Sequence, residues 1–207
     1  MNRILLKDGA NTRSGVVWHT QGSGKTLTMI MLTKMILRES MQPNSMIKQP
    51  RFVMVTDRIN LDKQIRDNFI HTQMSPHRAK TGKGLIELLK EESNTVITAL
   101  VNKFEAAVKQ EYCNDSENIF VFIDEGHRTQ YGKLNIYMNR VLPNAVKIAF
   151  TGTPLMQKKP KENILFDNGF VCFDCLFPCA RNSGVCEKQR QFYGRGCAAA
   201  CRYGNVL

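Results

Sequence analysis

Cysteine is nearly missing from most of this 207-residue chain: of seven cysteines, only Cys113 precedes residue 172. A disulfide framework therefore cannot hold that part together, which excludes the disulfide-stapled class for it. Long apolar runs are missing as well. The most apolar helical stretch, Leu27 to Leu37, is interrupted by Lys34 and is far too short to span a bilayer. The opening MNRILLKDGA turns polar too soon for a secretory signal. The expected location is the cytoplasm, without membrane contact. No internal repeat is present. Acidic residues are in deficit, 18 Asp and Glu against 29 Lys and Arg, for a net charge of +11. That balance favours nucleic acid or another polyanion as partner, with plain solubility as the alternative. Residues 165–207 hold five basic and three acidic groups, so +9 of the charge lies in the first 164 residues.

What is present begins with enough apolar material, 43% of residues, for a packed core. The length suits one domain plus an extra segment. From residue 15 to about 154, strand and helix patterns alternate, which predicts an α/β fold with a parallel sheet covered by helices on both faces. Strands are expected at Gly15–Trp18, Arg51–Thr56, Thr95–Ala99, Asn118–Ile123 and Val146–Phe150. Helices are expected from the loop after Trp18 to about Glu39, through Leu61, Ile65, Phe69 and Ile70, from Leu85 to Lys90, through Phe104 and Val108, and over Leu134–Leu142. Thr81-Gly82-Lys83-Gly84 reads as a break, and His71 and His77 as surface residues around a polar turn. Cys113, beside Asn114 and Asp115, reads as a loop thiol.

The segment Gly15 to Met29, GVVWHTQGSGKTLTM, reads as a phosphate-binding loop between a strand and a helix. Gly22 and Gly24 let successive N–H groups curl around a phosphate oxygen, and the helix behind adds partial positive charge. Gly22, Ser23, Gly24, Lys25 and Thr26 form the cradle, with Lys25 reaching the β and γ phosphates and Thr26 ligating Mg²⁺. The strict pattern has Gly six residues before the lysine, where this chain has His19. About a hundred residues on, IFVFIDEGH ends an apolar strand in two acids. Asp124 suits Mg²⁺ and Glu125 suits activation of the attacking water. A solvated acidic turn is the alternative for that pair alone. Thr151-Gly152-Thr153-Pro154 follows the last strand, where threonine hydroxyls can bond His127 or a phosphate-bound water. By itself it is a plain turn.

Together GSGKT, DEGH and TGTP resemble the superfamily 2 helicases and translocases of the DEAD/DEAH kind. WHTQGSGKTLTM, VTDRINLDKQI, VITALVNKF, FIDEGHRTQYG and AFTGTPL are similar to the motor domain of the type I restriction endonuclease R subunit. His19 and the extension His127 to Gly132 are marks of that family. The resemblance covers roughly residues 10–157. It implies a RecA-like P-loop domain over 15–157, with a lead-in over 1–14 and a Cys-rich tail over 158–207. It implies ATP and Mg²⁺ as cofactors, held by Gly22 to Thr26 and Asp124, with Glu125 activating water. His127, Thr151 and Thr153 would couple hydrolysis to movement. Thr56, Asp57 and Arg58, with Thr98 and Lys103, would track a DNA backbone, a task for hydroxyl and cationic donors. Arg58 and Lys103 as solvated surface charges are the alternative. The implied partners are double-stranded DNA and the methyltransferase and specificity subunits of a restriction complex. Another superfamily 2 ATPase, or a silent remnant of a broken gene, are the rival functions.

The family's R subunit is several times longer than this chain. Without a second RecA-like domain, and the arginine it would lend to the ATP site, the chain alone is expected to bind ATP·Mg²⁺ weakly and hydrolyse it poorly. From about Asn163 the alternation dissolves, and six cysteines, Cys172, Cys175, Cys179, Cys186, Cys197 and Cys201, crowd together. A zinc site on Cys172, Cys175, Cys179 and Cys186, a disulfide framework, and translation out of frame after residues 158–170 compete there. The frameshift accounts for composition, lost periodicity and early stop together, and is the favoured reading.

Overall fold

The apolar runs RFVMVT, IFVFID and VKIAFT carry too few polar residues to face water on either side, so they demand a sheet covered on both faces. In the computed structural model of the chain they form the middle of such a sheet. The structure describes residues 14–18, 22–92, 95–124, 131–152 and 170–172. The elements in order are β1 (Gly15–Trp18), α1 (Lys25–Ser40), β2 (Arg51–Thr56), α2 (Ile59–His71), β3 (His77–Ala79) and α3 (Gly82–Lys90). There follow β4 (Val96–Leu100), α4 (Val101–Val108), β5 (Ile119–Asp124), α5 (Tyr131–Val141), β6 (Val146–Thr151) and β7 (Phe170–Cys172). The sheet runs β3-β4-β2-β5-β6-β1-β7, and all paired strands are parallel.

Each face has its own core. Under α1 and α2 the packing is aromatic: Phe52 stacks on Phe120 at 5.5 Å between centroids, and Phe122 meets Phe52 and Phe150 edge-on at 5.8 and 5.6 Å. Offset and edge-on arrangements of this kind add to the burial energy. Under α3, α4 and α5 the packing is mainly aliphatic, from Val53, Val55, Ile97, Val121 and Ile123 against Leu85, Leu89, Met138 and Val141.

The structure departs from the sequence expectations in four places. β3 forms at His-Arg-Ala, where a polar turn was expected, although His71 and His77 are both exposed as anticipated. β7 pairs with β1 at 170–172, beyond the point where alternation was expected to end. α3 begins at Gly82 rather than Leu85, because the Thr81 hydroxyl caps it by accepting from the Gly84 N–H at 2.9 Å. In α2 the inward face is Asp62, Ile65 and Phe69, while Leu61 is only half-buried and Ile70 is exposed. Cys113 is exposed, as expected of a loop thiol. The calls on Cys175, Cys179, Cys186, Cys197 and Cys201 lie outside the described residues. Among the described residues no helix is long and apolar enough to cross a membrane, and no cluster of three potential metal ligands occurs.

Candidate functional site

Because every strand is parallel, all the strand C-termini meet at one edge of the sheet, the edge where open α/β sheets place ligands. Three neighbouring strands deliver the central groups there. β1 leads into the glycine loop, β6 ends in Thr151, and β5 ends in Asp124. The register sets Trp18 opposite Thr151, and Asp124 opposite Phe150. At a strand spacing near 4.8 Å, the base of the loop and Asp124 stand about 10 Å apart with β6 between them. The aromatic cluster holds this arrangement from below, since Phe122 is two residues before Asp124 and Phe150 directly precedes Thr151.

The loop has the backbone that a phosphate cradle needs. Gly22 and Gly24 both have positive φ, 80° and 91°. A Cβ at Gly22 would meet nothing within 4 Å, so close packing is not what requires glycine there; the conformation is. Gly24 caps α1 in a left-handed conformation, and its carbonyl accepts from the Thr28 N–H at 3.0 Å and the Thr28 hydroxyl at 3.3 Å. No side chain caps α1 at Gly24. An anion is favoured at a helix terminus of this kind. Lys25 and Thr26 open α1, both half-buried, with Ser23 exposed before them. The loop, the lysine, the threonine hydroxyl and the half-buried Asp124 carboxylate are a set of groups that suits a nucleoside triphosphate with a hard divalent cation.

The expected DNA-tracking residues divide. Arg58, the N-cap residue of α2, has a side chain 59% exposed, and Lys103 is half-buried on α4. Thr56 and Thr98 do not reach the surface; their residues are 2% and 1% exposed. The Thr56 hydroxyl donates to the Arg58 carbonyl at 3.4 Å, and Thr98 lies within β4 below the sheet edge. The structure thus places these two hydroxyls inside the sheet, and Arg58 and Lys103 nearer its surface. Thr151, the last residue of β6 at this edge, is also buried. His19, Glu125, His127 and Thr153 lie outside the described residues.

Sequence reasoning missed one buried polar group near this edge. Arg78 Nε on β3 stands 2.8 Å from Asp62 Oδ2 on α2, with Asp62 only 1% exposed. The two sit in separate elements, so no motif spacing joins them. The one signal was an acid at an inward helical position.

The comparisons agree with this geometry. A family model described as SWI2/SNF2 ATPase matches residues 1–174. The type I restriction enzyme HindI endonuclease subunit of Haemophilus influenzae is 36% identical over 173 residues, covering 73% of this chain and 16% of that one. A Methanocaldococcus jannaschii protein named for the type I restriction enzyme MjaIXP endonuclease subunit is 34% identical over 157 residues, covering 74% and 15%. The chain thus spans about a sixth of the length of these curated relatives. Among solved structures, the Pyrococcus furiosus Hef helicase domain has a TM-score of 0.53 at 16% identity, covering 77% of this chain and 35% of that one. The Sulfolobus solfataricus SWI2/SNF2 ATPase core in complex with double-stranded DNA has a TM-score of 0.51 at 17% identity, covering 70% and 29%. At such identities the likeness shows the fold alone, a RecA-like α/β domain. With the cradle, the strand order and the match over 1–174 in agreement, the chain belongs to the SWI2/SNF2 ATPase family.

Proposed function

We propose that this chain is the ATP-binding part of the motor in a type I restriction enzyme endonuclease subunit, and that its motor domain reaches about residue 174. The observation that carries the reading is the order of groups along one sheet edge: a positive-φ glycine loop, then Thr151, then Asp124, on three adjacent strands. Similarity to restriction subunits narrows the kind of motor. Backbone N–H groups of Gly22, Ser23 and Gly24 bind phosphate oxygens, and Lys25 neutralises the β and γ phosphates. Thr26 and Asp124 hold Mg²⁺, directly or through water. Glu125 orients and deprotonates the attacking water, while His127, Thr151 and Thr153 relay the change at the γ-phosphate. Bound ATP·Mg²⁺ supplies a phosphoryl group whose transfer to water releases the free energy for movement. Arg58 and Lys103 contact the DNA backbone from the same edge, consistent with the net charge of +11. Double-stranded DNA, with methyltransferase and specificity subunits in a cytoplasmic complex, completes the proposed setting.

The test is binding of a labelled, non-hydrolysable ATP analogue with Mg²⁺. Lys25→Ala should weaken it by about 100-fold, comparable with losing a charge-assisted contact to phosphate. Asp124→Asn should lower affinity in Mg²⁺ but not in its absence. Unchanged affinity in both variants would refute the assignment.

A further inference from the structure

Charged residues are rarely fully buried, and a buried ion pair is seldom more stabilising than hydrophobic residues of the same volume. Asp62 is 1% exposed while the Arg78 side chain keeps 34% exposure, so a fully buried carboxylate facing a partly exposed guanidinium needs a reason beyond stability. Asp62 occupies the first turn of α2, an inward position otherwise continued by Ile65 and Phe69. Its carboxylate meets Arg78 Nε at 2.8 Å. Arg78 is in register with Thr98 of β4, which is in register with Met54 of β2. The ion pair thus ties the start of α2 to the outer part of the sheet. Both Asp62 carboxylate oxygens and the Thr98 hydroxyl are buried there without a hydrogen bond of good geometry among the described residues, so the contact of Oδ2 with Arg78 is an ion pair by proximity. A polar group that is only partly satisfied is a poor stabilising device.

The same turn of helix carries Arg58. The Asp62 N–H donates to the Arg58 carbonyl at 3.0 Å, and the Thr56 hydroxyl approaches that carbonyl at 3.4 Å. Asp57 Oδ2 is 3.9 Å from Arg58 Nε. The backbone from 56 to 62 thus sets where the exposed Arg58 guanidinium stands, and the buried ion pair sets where that backbone stands.

We propose that Asp62 and Arg78 are positioning residues for nucleic-acid binding, holding the start of α2 so that Arg58 meets a DNA phosphate. The proposal rests on the reading of Arg58 as a DNA-backbone contact. A guanidinium bound to phosphate is directional, so a small tilt of its helix weakens the contact without touching the nucleotide loop on the far side of β5 and β6.

The experiment uses the whole chain and measures affinity for a labelled DNA duplex and for the Mg²⁺-bound ATP analogue, each in Arg58 and Arg58→Ala backgrounds. Asp62→Asn should weaken DNA binding about fivefold to tenfold, leave analogue affinity within about twofold, and have no further effect once Arg58 is alanine. Arg78→Gln should behave alike, and Arg78→Lys, which keeps the charge, should restore part of the loss. Parallel losses in DNA and analogue affinity, or a full Asp62→Asn effect in the Arg58→Ala background, would overturn the proposal as a mere structural role. If Asp62→Asn does not fold, the contrast between Arg78→Lys and Arg78→Gln decides by the same criteria. Arg58→Ala without effect, or no DNA binding by the unmodified chain, overturns the reading of Arg58 and this proposal with it. An Arg58→Ala effect with no Asp62→Asn effect overturns this proposal alone.

Discussion

The two edges of the sheet are built on opposite plans. At the C-terminal edge, β1 runs into a loop with glycines of positive φ at Gly22 and Gly24. At the N-terminal edge, side chains tie the strand starts to the helix ends. Arg51 Nη1 donates to the carbonyls of Leu89 at 2.6 Å and Glu91 at 3.3 Å, at the end of α3. Asn114 Nδ2 donates to the Leu89 carbonyl at 3.3 Å, and Asn144 Nδ2 to that of Asp115 at 2.8 Å. The Ser14 hydroxyl accepts from the Lys147 N–H at 2.9 Å. One edge is tied across by these side-chain hydrogen bonds; the other carries the glycine loop. The candidate binding edge depends on the opposite edge, and on the core between, for its rigidity.

Substitutions can break this contrast. The largest effect is expected in the core that serves the binding edge: Phe122→Ala should cost about 3–5 kcal/mol of stability in urea unfolding, because the cavity lies among Phe52 and Phe150. Next is the buried amine of Lys147, whose residue is 4% exposed and whose pKa is lowered by burial to about 8 from 10.5. Between those values the unfolded chain holds more protons than the folded one, so stability should rise from pH 8 to 10.5 by about 3 kcal/mol. Lys147→Met should abolish that rise and stabilise the chain at pH 7, as thermal melts across pH will show. Arg51→Ala should cost about 1.5–3 kcal/mol, since its hydrogen bonds are charge-assisted, with nucleotide-analogue affinity unchanged. The smallest effect on stability is expected at the binding edge: Gly24→Ala should cost about 1–2 kcal/mol, from its φ of 91°, yet weaken analogue binding more than Arg51→Ala does. Equal effects of the last two variants on analogue binding would erase the distinction between the edges.

What was legible in the sequence were the strands with apolar runs and the residues that chemistry requires at fixed spacing. All five expected strands are present, and Gly22 to Thr26, Thr151 and Asp124 fall on one edge. β3 was illegible because three residues at a sheet margin need no apolar run. α3 began earlier than expected because its glycine reads as a helix breaker. Gly82 is there for contact: a Cβ would overlap that of Ala106, so the α3–α4 approach requires its absence. The depth of Thr56 and Thr98 was not legible, because a hydroxyl in a strand does not declare its burial. The Asp62–Arg78 pair was hidden because it joins two elements through space.

The place of β1 in the sheet has a consequence for the order of assembly. Its hydrogen-bonded neighbours are β6 and β7, so the strand that carries the nucleotide loop waits about 130 residues for its first partner, a separation that slows folding. At a synthesis pace of about 5–20 residues per second, β1 spends roughly 7–26 s exposed on a nascent chain whose β2, β4 and β5 can already pair. The strand at the foot of the loop therefore gains its first sheet partner only when β6 arrives.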